Sequence, residues 1–478
     1  MAAEIKFGTD GWRGIIADDF TFDNVRRVAA AVAAYVHKHE DAKQGLVVGY
    51  DTRFASLQAA RIAAEVIAAT GIPVRLSNDH LPTPAVSYAV KKFNAAGGLV
   101  VTSSHNPWQW NGVKYKAGYG GSATATIMKK IEAELQPEPL ARQSGGQVTE
   151  TDFKAPYIDA ITRFADLDRI ARAGFNIAVD SMYGSGRGVL TGIFGARGIR
   201  HVGIRQELDP LFGGVNPEPI EPHIQALREA VEREHCHAGF ATDGDADRIG
   251  AIAEDGSFVD AHKCFAVILQ WLLERRPDWT GAVVRAFNTT GMLDRIATRY
   301  GRKLHECGIG FKHICDLMLN DQVLVGGEES GGIGITRHLP ERDGILNSLL
   351  LANIMAEEGK TLAQLVDRLQ KEYGPHYFGR RDLHIPDDLK QSAIRRASSA
   401  ATLSSLGPHR VVRRSDLDGI KLFLDAPRNG NGAEAWVLLR ASGTEPLLRV
   451  YSEASSPQLV AEILSAAEDF VLEKATAG

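Results

Sequence analysis

The chain has 478 residues, of which 44% are hydrophobic and 24% charged, and its formal net charge is -5 at pH 7. This length exceeds one ordinary hydrophobic core and predicts roughly three or four domains. A net negative charge without a dominant basic patch argues against a nucleic-acid partner.

Cysteine usage and hydropathy indicate the compartment. The chain has four cysteines and no Cys-x-x-Cys pair, which is typical of reduced thiols in a cytosolic protein. Its first ten residues contain no apolar signal-peptide core, and apolar stretches such as residues 28–36 are shorter than a membrane span. We expect a cytoplasmic protein with no membrane partner; the sequence leaves its oligomeric state open.

The first part of the chain alternates apolar runs with helical patterns. The predicted elements are strand 46–51, helix 56–70, strand 74–76, helix 83–93 and strand 98–101. Ser56 is placed to cap the first of these helices.

The same plan returns twice. The second copy is predicted as strand 175–180, a strand around Val202, helix 222–234 and strand 237–242. The third copy is predicted as strand 281–287, helices 292–300 and 312–319, and strand 323–325. Each copy ends in a polar loop at the carboxyl end of its last strand, which is where α/β sheets bind ligands.

The remaining boundaries follow from composition. Residues 136–151 are polar and contain prolines, so they are interpreted as a linker. After residue 375 the pattern changes to that of an α+β domain: helix 387–403, strands 420–424, 436–439 and 448–451, and helix 457–474. The predicted domains are residues 1–145, 152–255, 256–372 and 376–478.

The loop of the first copy has the sequence Thr-Ser-Ser-His-Asn-Pro over residues 102–107. It follows an apolar strand, and its Asn-Pro pair predicts a turn. Ser104 is therefore a candidate to carry a phosphate at the end of the strand.

The loop of the second copy holds Asp243, Asp245 and Asp247 at alternate positions. Such carboxylates can converge on a hard divalent cation, and we expect Mg²⁺ because it accepts few protein ligands when phosphate supplies others. An EF-hand is the competing interpretation, with Glu254 at its twelfth position. It fails because Arg248 stands where the turn needs glycine and because the flanking segments are strand-like.

Two further loops are candidate anion sites. Residues 440–446, Arg-Ala-Ser-Gly-Thr-Glu-Pro, combine hydroxyls and glycine with an arginine, and Arg449 follows. Residues 7–14 contain three glycines and Arg13. A structural turn is the alternative interpretation of each loop.

The loop of the third copy has the sequence Gly-Gly-Glu-Glu-Ser-Gly-Gly over residues 326–332. Together these five loops, in order over essentially the whole chain, resemble the α-D-phosphohexomutases, the family of phosphoglucomutase, phosphomannomutase and phosphoglucosamine mutase. The resemblance implies an α/β fold of three related α/β domains with mixed sheets around a central cleft, plus a C-terminal α+β domain. It also implies an enzyme that interconverts glucose 1-phosphate and glucose 6-phosphate through a phosphoserine and a hexose 1,6-bisphosphate. Mg²⁺ would be its cofactor, glucose 1,6-bisphosphate its activator and hexose phosphates its partners.

The resemblance also implies roles for individual residues. The phosphorylated serine and the residues that bind Mg²⁺ with it would be Ser104, Asp243, Asp245 and Asp247. Glu328 and Ser330 would form hydrogen bonds with the hydroxyls of the sugar. The phosphate that is not reacting would be held by Arg440, Ser442, Gly443, Thr444 and Arg449. The catalytic pocket would be lined by Arg13, His105, Lys114 and Arg248, with Lys114 the candidate general base if its neighbours leave it neutral.

The chain departs from its relatives at two positions. Gly332 stands where some branches have histidine, and Arg342 stands near a position where others have lysine. Arginine is a poor base because it stays protonated. Glu329 resembles the glucose-preferring branch, with mannose and glucosamine phosphates as alternative substrates. A phosphoserine-dependent sugar phosphatase and a silent sugar-phosphate sensor are the rival functions.

Overall fold

The computed structural model describes residues 5–8, 11–137, 146–399, 403–428, 430–442 and 446–472. The chain divides into two compact units. The first contains Met1–Gly281 and Gly310–Leu365, and the second contains Ala282–Ile309 and Val366–Gly478.

The first region is a sheet covered by helices. Its strands are β1 (Trp12–Ile15), β2 (Leu46–Tyr50), β3 (Val74–Ser77), β4 (Gly97–Val101), β5 (Trp110–Ala117), β6 (Gly121–Ser122) and β7 (Val148–Thr151). Its helices are α1 (Phe22–His39), α2 (Ser56–Ala68), α3 (Thr83–Lys92) and α4 (Ala125–Glu132). The strand order is β1-β5-β4-β2-β3-β7, with β6 beside β5. Strands β2, β3, β4 and β7 are parallel, whereas β5 runs antiparallel to β4.

Strand β7 corrects the prediction of a linker over 136–151. Residues 148–151 pair in parallel with β3, and Val148 lies opposite Val74. Three of the four β7 residues are exposed, so this edge strand lacks the alternating burial that marks a strand in sequence. Residues 138–145 lie outside the described residues.

The second region repeats this topology. Its helices are α5 (Lys154–Ile161), α6 (Leu167–Ala173), α7 (Val189–Ala196) and α8 (Gln225–Arg233). Its strands are β8 (Ile177–Asp180), β9 (His201–Ile204), β10 (Ala238–Thr242), β11 (Ile249–Ala253) and β12 (Phe258–Val259). The order β12-β11-β10-β8-β9 places antiparallel β11 next to a parallel core, as β5 flanks β4. The predicted repeat is confirmed for these two regions.

The third region, like the first two, contains both a parallel and an antiparallel pair of strands. Its helices are α9 (Ala261–Arg275), α10 (Met292–Arg299), α11 (Phe311–Asn320), α12 (Gly344–Glu358) and α13 (Leu362–Tyr373). Its strands are β13 (Ala282–Ala286), β14 (Leu304–Cys307), β15 (Val323–Gly327) and β16 (Ile333–Ile335). Strands β13 and β14 are a parallel pair in the second unit, and β15 and β16 are an antiparallel pair in the first.

The last region is an antiparallel sheet with two helices. It contains β17 (Tyr377–His384), α14 (Asp387–Ser398), β18 (Ser405–Leu406), β19 (His409–Ser415), β20 (Ile420–Asp425), β21 (Trp436–Ala441), β22 (Leu447–Ala454) and α15 (Pro457–Val471). The strand order is β17-β22-β21-β20-β19-β18. The predicted α+β class of this region is confirmed. None of the helices in the described part of the chain is long and apolar enough to cross a bilayer.

A buried lysine lies in the apolar core of the second unit. The Lys421 ammonium is 4.0 Å from the Trp436 ring centroid, 5.0 Å from that of Phe287, and donates a hydrogen bond to the Phe287 carbonyl at 2.8 Å. Burial, reinforced by the positive charge of Arg285, lowers the pKa of Lys421 from 10.5 to about 8.

We therefore expect the stability of the chain to depend on pH through Lys421. Because its pKa is lower in the folded state, the unfolded state binds more protons between pH 8 and 10.5, and stability rises with pH in that window. The Lys421→Met variant lacks this effect, so its free energy of unfolding relative to wild type should fall by roughly 3 kcal/mol across the window. Urea unfolding at several pH values measures this difference, and a difference that stays constant would contradict the assignment.

Candidate active site

The three loops singled out in the sequence occupy equivalent places in the fold. Ser104 lies between β4 and β5, residues 243–248 between β10 and β11, and residues 328–332 between β15 and β16. Each loop joins the carboxyl end of one strand to the antiparallel strand that follows it. All three belong to the first unit.

Ser104 is held in a tight, buried turn. Its φ is +53°, in the left-handed region that side chains other than glycine rarely adopt. Its backbone N–H donates to Thr102 Oγ1 at 2.9 Å, and its hydroxyl donates to Asp243 Oδ2 at 2.8 Å. The structure thus places the predicted phosphate carrier directly beside the first aspartate of the acidic loop. Backbone strain that is maintained by surrounding contacts is common at functional sites.

A fully buried arginine that we did not predict fixes this turn. Arg53 donates to the backbone carbonyls of Ser104 at 2.5 Å and Asn106 at 2.7 Å. It also donates to the carbonyls of Pro107 and Trp110, at 2.9 and 3.0 Å. One guanidinium group therefore donates hydrogen bonds to four carbonyls of a single loop. The five N–H donors of arginine allow this, whereas the three donors of a lysine ammonium do not.

Arg53→Lys should consequently destabilise the protein by about 2 kcal/mol and lower turnover, because several buried carbonyls lose their charged donor. Thermal unfolding and kcat measure the two effects. Arg61→Lys is the matched control, since the Arg61 side chain is 55% exposed on α2 and pairs with Glu150 at 3.9 Å. Wild-type stability and turnover in Arg53→Lys would show that these contacts do not hold the loop.

The acidic loop forms a fully buried cluster of carboxylates. Asp243, Asp245 and Asp247 each offer a carboxylate oxygen within 4.8 Å of the others. Within the described residues, Asp245 Oδ1 and Asp247 Oδ1 have no hydrogen-bond partner. Buried oxygens without a donor are rare and costly, so a bound cation is the natural partner. An all-oxygen donor set of this kind fits Mg²⁺.

The electrostatics of the cluster are strongly coupled. Burial, together with the charges of Asp245 and Asp247, raises the pKa of Asp243 well above its ordinary range. Burial also acts to raise the pKa of Asp245, but the Lys114 ammonium, the Thr83 hydroxyl and the Arg342 guanidinium together outweigh it and lower that pKa below its ordinary range.

Three cations balance the three carboxylates. Lys114 Nζ lies 2.8 Å from Asp245 Oδ2 and 3.2 Å from Asp247 Oδ2. Arg248 Nε lies 3.7 Å from Asp247 Oδ1. Arg342 is the third, at 2.7 Å from Asp247 Oδ2. The buried cluster is therefore close to neutral by formal charge, and a metal and a phosphate could be added as a pair of opposite sign.

Arg342 also reaches the loop expected to bind the sugar. Its guanidinium lies 3.2 Å from Glu328 Oε2, so it bridges the metal cluster and the sugar loop. Burial raises the pKa of Glu328, and Arg342 opposes that effect. A Cβ atom on Gly332 would lie 2.2 Å from Arg342 Cδ, so the glycine leaves space for this side chain. Ser330, in the same loop, is half-buried.

The other predicted pocket residues lie near Ser104. His105 Nδ1 is 3.5 Å from Ser104 Oγ, longer than an ordinary hydrogen bond. Arg13, on β1, donates to Asn106 Oδ1 at 2.5 Å and so contacts the serine loop. In the same segment a Cβ atom on Gly11 would lie 2.3 Å from the Val113 carbonyl oxygen, which supports a structural role for that glycine.

The predicted phosphate loop lies in the second unit. Arg440 on β21 stands directly opposite Arg449 on β22. Arg440 Nε is 3.0 Å from Asp418 Oδ1, whereas Arg449 Nε is 3.8 Å from Asp382 Oδ2. Lys390, which we did not predict, donates to the Ser442 carbonyl at 2.9 Å. Gly443 and Thr444 lie outside the described residues.

A serine hydroxyl beside a buried triaspartate cluster with three cations suits metal-assisted phosphoryl transfer. Family models of phosphoglucomutase/phosphomannomutase match the chain as alpha/beta/alpha domain I over residues 4–141, domain II over 155–256, domain III over 260–373 and the C-terminal domain over 409–469. The chain belongs to this phosphoglucomutase/phosphomannomutase family.

Individual relatives cover nearly the whole chain. A phosphoglucomutase/phosphomannomutase of Thermococcus kodakarensis is 30% identical over 461 residues, 96% of each chain. A phosphoglucosamine mutase of Carboxydothermus hydrogenoformans is 28% identical and covers 96% of this chain and 97% of its own. A Thermus thermophilus structure, provisionally named a phosphomannomutase, is 36% identical with a TM-score of 0.85, covering 99% of this chain and all of that one. Family and relatives together indicate a phosphohexomutase.

Proposed function

We propose that this chain interconverts glucose 1-phosphate and glucose 6-phosphate through phosphorylated Ser104 and a hexose 1,6-bisphosphate. The observation that carries the proposal is the 2.8 Å contact between Ser104 Oγ and Asp243 Oδ2. It puts a hydroxyl that can carry a phosphoryl group next to carboxylates suited to a divalent cation.

The transfer balances without any further reactant. The Ser104 Oγ–P bond breaks as a bond forms between phosphorus and the free O6 or O1 hydroxyl of the sugar phosphate. The proton of that hydroxyl passes to a base and finally to Ser104 Oγ. The resulting bisphosphate then presents its other phosphate, which is transferred back to Ser104 by the reverse of the same step.

Charge is the main obstacle, because a phosphoserine and a sugar phosphate each carry close to two negative charges. Bound by Asp243, Asp245 and Asp247, Mg²⁺ would supply charge neutralisation at the transferring phosphoryl group. Arg248 and Arg342, both buried beside that cluster, would add permanent positive charge.

Lys114 is the proposed general base. Its ammonium now pairs with two aspartates, so it must release a proton before it can accept one from the sugar. Arg342 fills the space beside Gly332 but stays protonated, so we assign it charge stabilisation rather than proton transfer. His105 lines the pocket beside Ser104 in this proposal.

The phosphate that is not being transferred needs a separate cation site. Arg440 and Arg449, which face each other across β21 and β22, would provide it with Ser442. Two guanidinium groups directly opposite each other repel, and although Asp418 and Asp382 each lie near one of them, a phosphate between the two would lower that repulsion further. Glu328 and Ser330 would bind the sugar hydroxyls.

Glucose is the preferred sugar in this proposal because Glu329 follows Glu328 in the sugar loop. The test compares kcat/KM for glucose, mannose and glucosamine 1-phosphates, with Mg²⁺ and trace amounts of the matching 1,6-bisphosphate. We expect glucose 1-phosphate to exceed glucosamine 1-phosphate by about tenfold or more. Mannose 1-phosphate should turn over too, since it keeps every hydroxyl of glucose and differs only in the configuration at C2, whereas glucosamine has an amino group there. Preference for glucosamine 1-phosphate would contradict the assignment of Glu329.

A further inference from the structure

A cavity in the first unit is lined by residues that are not part of the candidate active site. It has a volume of about 300 Å³ and is lined by Arg163, Phe164, Arg276, Trp279 and Arg337. The first two residues follow α5, the next two follow α9, and the last follows β16. Three separate segments of the chain thus bring three arginines and two aromatic rings together.

Within the described residues, no carboxylate neutralises the three guanidinium groups. Among the residues that the structure describes, none of Arg163, Arg276 and Arg337 forms an ion pair. The Arg276 guanidinium donates a hydrogen bond to the carbonyl of Arg275 at 3.0 Å. This concentration of positive charge stands out in a chain whose net charge is -5. Like charges around one cavity repel each other, and an anion in the cavity relieves that repulsion.

Aromatic contacts orient two of these arginines. The Arg337 guanidinium lies 4.9 Å from the Trp279 ring centroid, and that of Arg276 lies 4.7 Å from the Trp271 ring centroid. Phe164 meets Trp279 edge to face, with centroids 6.0 Å apart. A guanidinium stacked on a ring keeps its N–H groups available at its edge, so less side-chain freedom is lost when an anion binds.

We propose that this cavity binds a small molecule that carries a phosphate group with at least two negative charges. Guanidinium groups bind phosphate oxygens through paired hydrogen bonds, and three of them match a polyphosphate better than a single carboxylate. The volume, at the lower end of small-molecule pockets, holds a diphosphate group. The site is distinct from the phosphate sites of the proposed reaction.

The test titrates pyrophosphate into the full chain by calorimetry, in low-salt buffer free of divalent metal. The variant Arg163→Ala/Arg337→Ala removes two exposed arginines, and Arg276→Ala is an independent second variant. Arg172→Ala is the matched control, because Arg172 is exposed on neighbouring α6 and does not line the cavity. We expect both cavity variants to lose one binding site or to bind about tenfold more weakly. The control should bind as wild type does, and turnover of hexose phosphate should be unchanged in all three variants.

A second arm identifies the source of the phosphate. If ATP binds more tightly than pyrophosphate at this site, the ligand is a nucleotide whose base contacts the aromatic rings. If the two bind equally, the site recognises the polyphosphate group alone. Both results support the site, provided that the cavity variants abolish them. Pyrophosphate and ATP binding with wild-type affinity and stoichiometry in both cavity variants would overturn the proposal.

Discussion

Ser104→Ala should abolish turnover of hexose phosphate, with a loss of about 10⁴-fold or more, as expected when the only group that carries a covalent intermediate is removed. The hydroxyl is the donor to Asp243 at 2.8 Å, and no other group in the proposed reaction holds the phosphoryl group between its two transfers. Intact-protein mass spectrometry should show a phosphate on wild type after incubation with glucose 1,6-bisphosphate. The variant should show none.

Ser103→Ala is the matched control for this experiment. Ser103 is equally buried and is the preceding residue, but among the described residues its hydroxyl has no hydrogen-bond partner. We expect near-wild-type turnover and phosphorylation in that variant. Residual phosphorylation and turnover in Ser104→Ala would assign the phosphoryl carrier to another residue.

Asp245→Asn should reduce turnover by about 10³-fold, because it removes charge from the group that we expect to hold the cation beside the transferring phosphate. Asp245 Oδ1 has no donor among the described residues, whereas Oδ2 accepts from Thr83 at 2.5 Å and from Lys114 at 2.8 Å. The substitution keeps the shape of the side chain and weakens the metal site.

Metal binding gives this variant a readout apart from turnover. In wild type, Mg²⁺ at 100 times its dissociation constant should stabilise the folded chain by about 2.7 kcal/mol, seen as a rise in Tm. Asp245→Asn should lose most of that rise. Asp255→Asn is the matched control, since Asp255 lies in the turn after β11 and, among the described residues, its side chain hydrogen-bonds with Ser257 alone. An unchanged response of Tm to Mg²⁺ in Asp245→Asn would show that the metal binds elsewhere.

Hydrophobic periodicity and the polar residues at strand ends were sufficient to predict many of the helices and strands. Helix 292–300 corresponds to Met292–Arg299, and the strands around the acidic loop are Ala238–Thr242 and Ile249–Ala253. Burial makes these segments apolar at regular intervals, so their pattern is visible in sequence. The repeat predicted only that each loop follows the end of a strand, whereas the proximity of Ser104 to Asp243 was implied by the family resemblance, which assigned both residues to one Mg²⁺ site.

The partners of individual polar side chains could not be predicted from periodicity. Ser56 was expected to cap α2, and that prediction is wrong: the cap is Ala55, and the Ser56 hydroxyl donates to Asp51 Oδ1 at 2.7 Å. Arg53 resembles a solvated residue of a polar turn, yet its carbonyl partners lie 51 to 57 positions away. The sequence pattern indicates neither the partner of Ser56 nor the carbonyls that Arg53 contacts.

Chemical reasoning about single residues had a similar limit. Arginine was set aside at position 342 because it is a poor base, which is correct but does not exclude a role in charge stabilisation. Only the folded chain brings Arg342 to Asp247 and Glu328 together. Edge strands β7 and β17 were missed because their exposed faces carry polar residues.

The central claim is that the phosphoryl group is moved within the sugar rather than released to water. Phosphorus NMR of glucose 1-phosphate, incubated with the enzyme, Mg²⁺ and trace glucose 1,6-bisphosphate, follows both outcomes in one sample. We predict that glucose 6-phosphate grows to equilibrium while inorganic phosphate appears far more slowly. Inorganic phosphate formed at a comparable rate would make the protein a phosphatase, and no change in any sugar phosphate would make it a binding protein.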